Sequence, residues 1–106
     1  MNFRVLTSVR EEIVAAAMWF DGKAAGLGVE FLDLVEAELD KIEADPKSFP
    51  EWEHNFLDAE IRRVIVPRFG YMIYYQVFQD EVLVVSVSHG SRDYESWIKR
   101  IKGLDF

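Results

Sequence analysis

The stretch from Ile61 to Arg100, IRRVIVPRFGYMIYYQVFQDEVLVVSVSHGSRDYESWIKR, reads as three consecutive strands followed by a turn and a short helix. Ile61–Val66 is the first strand, Tyr71–Phe78 the second and Val82–Ser88 the third. Each is rich in β-branched and aromatic residues and bounded by turn formers. Pro67 to Gly70 makes the first corner, because proline has no backbone donor and fits a strand end. Gln79 to Glu81 makes a tight hairpin. Tyr71–Phe78 is apolar on both faces, as a central strand requires. Tyr94 to Ile101 reads as a C-terminal helix capped by Ser91 or Asp93.

The first half of the chain has a different period. Phe3 to Leu6 is a short strand candidate. Thr7 or Ser8 then offers a helix cap, and Ser8 with Glu11 has the spacing of a capping box. Ile13, Ala16, Ala17, Phe20 and Ala24 form one apolar helical face. A turn is expected near Gly26. A second helix follows from about Gly28 to Ala44, burying Phe31, Leu32, Leu34, Val35, Leu39 and Ile42. Asp45-Pro46 ends it, since proline disfavours helical geometry in the preceding residue. Lys47 to Asp58 reads as a loop.

The expected fold is α+β over a single domain, residues 1–106. It has an N-terminal strand, an antiparallel helical hairpin, and a three-stranded antiparallel meander forming one sheet packed on the helices, then the short C-terminal helix. One helical layer would leave the other face of the sheet open. Met72, Tyr74 and Phe78, or their odd-numbered neighbours, would then lie on a partner-binding surface.

The chain has no cysteine, which excludes disulfides and thiolate zinc sites. No apolar run approaches a membrane span, and the N-terminus lacks a signal pattern, so a cytoplasmic location is expected. The formal net charge of −7 argues against broad nucleic-acid binding. The acid is concentrated in residues 30–60, including Glu36, Glu38, Asp40, Glu43, Asp45, Glu51 and Glu53. Residues 61–102 are net basic, through Arg62, Arg63, Arg68, Arg92, Lys99, Arg100 and Lys102.

Two segments carry a resemblance. The first is GLGVEFLDLVEAELDKIEADPKSFP, residues 26–50; the second combines RRVIVPRFGYMIYYQV with VSVSHGSRDYESWIKR. In order and spacing they resemble the RelE/ParE toxins of bacterial toxin–antitoxin pairs, and the ParE-like members more closely. The resemblance implies a toxin held inactive by a cognate antitoxin in a hetero-oligomer. ParE-like members poison DNA gyrase by binding it, whereas RelE-like members cleave messenger RNA on the ribosome. A relative that binds antitoxin without being toxic is a third reading. No cofactor or metal is implied.

RNA cleavage of the RelE kind needs a base, positive charge for the transition state and an acid for the leaving oxygen. Carried over by position, the catalytic arginine that follows Gly-Tyr in RelE falls on Met72, which has no charge. The C-terminal tyrosine falls on Trp97, whose indole cannot act as a titrating acid. A sheet lysine falls on Arg63, and a remaining arginine on Arg92. A nuclease would therefore rest on Arg63, Arg92 and His89. His89 is in phase with Leu83, Val85 and Val87 and reads more readily as the hydrogen-bonded structural end of an apolar row. Target or antitoxin binding is assigned to Arg63, Arg68, Met72, Tyr74, Phe78, His89, Arg92 and Trp97.

Overall fold

A computed structural model describes residues 1–53, 58–89 and 94–103. The elements in order are β1 (Asn2–Val5), α1 (Thr7–Lys23), α2 (Leu27–Ala44), β2 (Glu60–Ile65), β3 (Tyr71–Phe78) and β4 (Glu81–His89). Two 3-10 turns follow, Tyr94–Ser96 and Ile98–Arg100. The fold is α+β, with two helices and a four-stranded sheet in the order β1-β4-β3-β2.

The sheet is mixed. β3 pairs antiparallel with both β2 and β4, while β1 lies parallel to β4, from Asn2 opposite Glu81 to Val5 opposite Val84. The parallel edge follows from the connection: a helical hairpin separates β1 from the other strands, and parallel neighbours need such a long crossover. The β3–β4 register slips once. It passes from Tyr74 opposite Ser86 to Tyr75 opposite Val84, leaving Val85 of β4 without a partner on β3. This is a β-bulge, and it reverses which side chains face the helices beyond it.

α1 begins one residue earlier than its cap signal suggests. Leu6 is the N-cap, its carbonyl accepting from Val9 and Arg10, and no side chain caps the helix. Ser8 lies inside the first turn, so the Ser8–Glu11 capping box does not form. The start of α2 is held from outside. The Asp21 carboxylate on α1 accepts from the backbone N–H of Gly26 at 3.0 Å and of Gly28 at 3.2 Å. Gly26 sits in left-handed backbone geometry, φ 86°, which glycine adopts without a Cβ penalty. At Gly28 the two helices touch, because a Cβ there would overlap the Ala17 carbonyl oxygen.

The hairpin packs on one face of the sheet. Val9, Ile13, Ala16 and Ala17 of α1 and Phe31, Val35, Leu39 and Ile42 of α2 meet Val64, Ile73, Tyr75, Val77, Val82, Val84 and Val87. Fully burying each large aliphatic or aromatic side chain contributes about 1.5–3 kcal/mol. A half-buried aromatic cluster of Phe20, Phe69 and Tyr71 closes the end of this core around Phe31.

The other face of the sheet is not open. Ile61, Tyr74, Leu83 and Val85 form a second core with Trp97 and Ile101 from the C-terminal segment. The expected helix over Tyr94–Ile101 is replaced by the two 3-10 turns, the second closed by hydrogen bonds from the Arg100 N–H to the Trp97 carbonyl and from the Ile101 N–H to the Ile98 carbonyl. Their tighter winding suits short pieces, and it brings both Trp97 and Ile101 down onto the sheet. The cap residues proposed for that helix, Ser91 and Asp93, lie outside the described residues. None of the described helices is long and apolar enough to cross a membrane.

Candidate interaction surface

Three aromatic side chains gather on the face of the sheet away from the helices. Tyr74 stacks on Trp97 with ring centroids 5.0 Å apart, and Trp52 meets both, at 5.2 Å from Tyr74 and 5.5 Å from Trp97. Tyr74 is 0% exposed and Trp97 1% exposed. In this conformation both are core residues, closed to a partner. The Tyr74 hydroxyl donates to the Met72 sulfur at 3.5 Å. Met72 is half-buried at the margin of this cluster.

The C-terminal segment is fastened over this face by backbone mimicry. The Gln76 amide donates to the Lys102 carbonyl at 2.7 Å and accepts from the Lys102 N–H at 2.8 Å. That is the pairing a neighbouring strand would make. Lys102 also forms an ion pair with Glu81. Phe78 lies half-buried at the end of β3, close to Gly103, where a Cβ would run into its ring.

Arg63 pairs across from Tyr74 and shares the face of Ile61, so it lies on this same side. It is half-buried, and its side chain makes no ion pair with any described residue. Its neighbour Arg62 points to the opposite face and is fully engaged. Arg62 donates to Glu60 at 2.7 Å and to the Phe49 carbonyl, and lies 3.6 Å from Glu51. With Lys47 on Glu60, this network ties the 46–52 segment to the free edge of β2. Burial pushes the Glu60 carboxyl up, but hydrogen bonds from Arg62 and Lys47 outweigh it and hold the group below its ordinary value. Tyr75, on the helical face, donates to the Pro46 carbonyl at 2.6 Å, and burial pushes its phenol up to about 12.

His89 does not join Arg63. The bulge at Val85 breaks the phase that sequence counting assigns to Leu83, Val85, Val87 and His89. Leu83 and Val85 face the second core, whereas Val87 faces the helical core. His89 is exposed on the helical side, with its ring 5.5 Å from Tyr71 and Trp19 nearby. The sheet therefore separates His89 from Arg63. Arg92 lies outside the described residues. Arg68 is exposed at the β2–β3 corner, with φ 73°, and pairs with Glu30 of α2 at 3.2 Å. Among the described residues no group of three or more His, Asp or Glu side chains is placed to hold a metal ion.

An aromatic chain such as Trp19 is expected in the core or at its edge, as Trp52, Tyr74 and Tyr75 are, but Trp19 stands exposed on α1 beside Met18. Trp52 does pack at the edge of the second core, while the role of Gln76 was missed. Trp52 sits in a segment without a period, and a lone glutamine in a strand carries no local sign of what its amide will bind.

A family model described as "ParE toxin of type II toxin-antitoxin system, parDE" matches residues 8–94. The chain belongs to this family, within the RelE/ParE superfamily of type II toxins. It is thus the toxin component of a toxin–antitoxin system, and toxins of the ParE type pair with a cognate antitoxin. No individual curated protein matches the chain.

Proposed function

We propose that the chain is a binding toxin that acts on DNA gyrase in the cytoplasm and is neutralised by its cognate antitoxin. The observation that carries this reading is the state of the two positions a RelE-like nuclease would need. Met72 offers no charge or proton, and Trp97 is buried against Tyr74. Of the remaining candidates the two within the described residues are divided, with Arg63 on one face of the sheet and His89 on the other. Transition-state charge stabilisation requires donors converging on one point, and these side chains do not converge. Binding a protein target asks for no such convergence. Arg63, Arg68 and the half-buried Met72 and Phe78 remain accessible to contact a target or the antitoxin.

The test is expression of the chain alone in a sensitive bacterial host. Growth arrest with a DNA-damage response and intact transcripts is expected, together with inhibited supercoiling by purified gyrase. Arrest with codon-position transcript cleavage would instead identify a nuclease. Unimpaired growth with folded protein would leave a non-toxic antitoxin binder.

A further inference from the structure

A cavity of about 440 Å³ opens where the aromatic cluster closes the helical core. Among the described residues every side chain that lines it is a ring: Trp19, Phe20, Phe69, Tyr71 and His89. Its volume falls within the usual range for small-ligand pockets. Phe20 stands edge to face with Trp19 at 5.2 Å between centroids and with Phe69 at 4.8 Å, and Tyr71 stands so with His89 at 5.5 Å. A T-shaped contact uses the edge of one ring and the face of another, which leaves other ring faces for a further planar group. Trp19 is 59% exposed, and Phe20, Phe69 and Tyr71 are only half-buried. The cup also depends on Gly70. A Cβ there would come within 3.3 Å of His89 Nε2, so the glycine lets the imidazole lie close over the corner between β2 and β3.

Two cations stand against its walls. Lys23 Nζ lies 4.8 Å from the centroid of the Trp19 ring, and Arg68 Cζ lies 5.7 Å from that of Phe69. Arg68 is paired with Glu30 at 3.2 Å, which offsets its charge. Lys23 is exposed and makes no ion pair with any described residue. Asp21, two residues before it, is turned to the Gly26 and Gly28 N–H groups, where the start of α2 offsets its charge. The rim is therefore locally positive at Lys23. The net charge of −7 opposes an anion from afar, but salt screens that field beyond about 8–10 Å. The Tyr71 hydroxyl and the His89 imidazole add polar tips that no other described residue engages by a hydrogen bond.

We propose that this cup is a nucleotide-binding site. The base enters among the rings and stacks on Trp19, and the phosphate reaches Lys23. Tyr71 and His89 offer hydrogen bonds to the base or sugar. Stacking on aromatic side chains tolerates every base, so the site selects a class, a flat heteroaromatic ring carrying an anion, and not one base. Lysine serves a phosphate as a point charge. The site is independent of the toxin–antitoxin reading, since it takes a small molecule and not a protein partner.

The full chain is titrated with AMP, adenosine, inorganic phosphate and N-acetyltryptophanamide, following the Trp19 indole N–H and the His89 ring protons by NMR. AMP is expected to shift both saturably, adenosine to bind more weakly, and phosphate alone to leave both unmoved. Trp19→Leu, at an exposed position, should weaken AMP and adenosine alike by about tenfold, the worth of one stacked base. Lys23→Gln should weaken AMP by about two- to fivefold, as expected for one exposed ion pair, and leave adenosine unchanged. Equal weakening of both ligands by Lys23→Gln would reduce Lys23 to a support for Trp19 and overturn the phosphate contact. N-acetyltryptophanamide binding as tightly as AMP would make the cup a seat for a partner's aromatic side chain and overturn the proposal. So would the absence of any saturable shift at millimolar AMP.

Discussion

Tyr74 lies flat on Trp97, their ring centroids 5.0 Å apart and their planes 27° from parallel. This contact joins the centre of the sheet to the C-terminal segment, alongside the Gln76–Lys102 hydrogen bonds, and closes the second core. Trp97→Ala should therefore cost about 3–5 kcal/mol, the usual range for emptying a large aromatic site. Trp97→Phe should recover much of that loss. Urea unfolding of both variants measures it, and a loss below 1 kcal/mol in Trp97→Ala would show that the C-terminal segment contributes little.

Asp21 supplies the cap that α2 lacks from its own sequence. Asp21→Ala removes the acceptor for Gly26 and Gly28 and should destabilise the protein by about 0.5–2 kcal/mol. Asp21→Asn keeps an oxygen at the same place and should cost less. Amide exchange at Gly26 and Gly28 should quicken in the alanine variant alone.

The Gly28–Ala17 contact leaves no room for a side chain. Gly28→Ala would gain helix propensity elsewhere, yet here it must push the two helices apart. Overpacking of this kind costs about 1–3 kcal/mol. A thermal melt that rises in Gly28→Ala would mean the hairpin opens without strain.

Glu60 titrates below its ordinary value in the folded chain. A carboxyl so depressed stabilises the fold above the unfolded value of 4.5, and that contribution is lost as pH falls through the folded value. Stability should decline on acidification below about pH 4.5, the carboxylate range. Glu60→Gln should flatten part of that decline. An acid limb identical in both proteins would remove Glu60 from the account.

Tyr75 works at the other end of the scale. Its phenol is pushed up to about 12, so the folded state favours the neutral form. Its contribution is whole below pH 10 and fades as pH rises from there towards 12. Ultraviolet titration should show one tyrosine ionising well after the others, and Tyr75→Phe should remove that late step.

The element types were legible because their periods are local. The apolar face of α1 and the double-sided apolar run of β3 each announce themselves within a few residues. The family signal was legible for the same reason, through the glycines and proline around α2 and the order of motifs along the meander. The errors came from partners distant in sequence. Nothing near Asp21 says that it will cap the following helix. Nothing near Tyr94 says that Trp97 must reach the sheet, which is what turns a helix into two 3-10 turns. The bulge at Val85 was invisible because valine suits either face, so counting by two carried His89 to the wrong side. The second face of the sheet looked open because its cover, Trp52 and Trp97, comes from segments with no strand or helix period.

The parallel seat of β1 against β4 sets an order of events during synthesis. β1 has no neighbour in the sheet until β4 has been made, and contacts so far apart in sequence close slowly. The helical hairpin emerges early, while its sheet does not yet exist. The second core waits longer still, since Trp97 and Ile101 follow β4 in the chain. A sheet assembled this way has both of its faces covered only after the Trp97–Ile101 segment has been made, so a partner that reads the finished sheet meets it late.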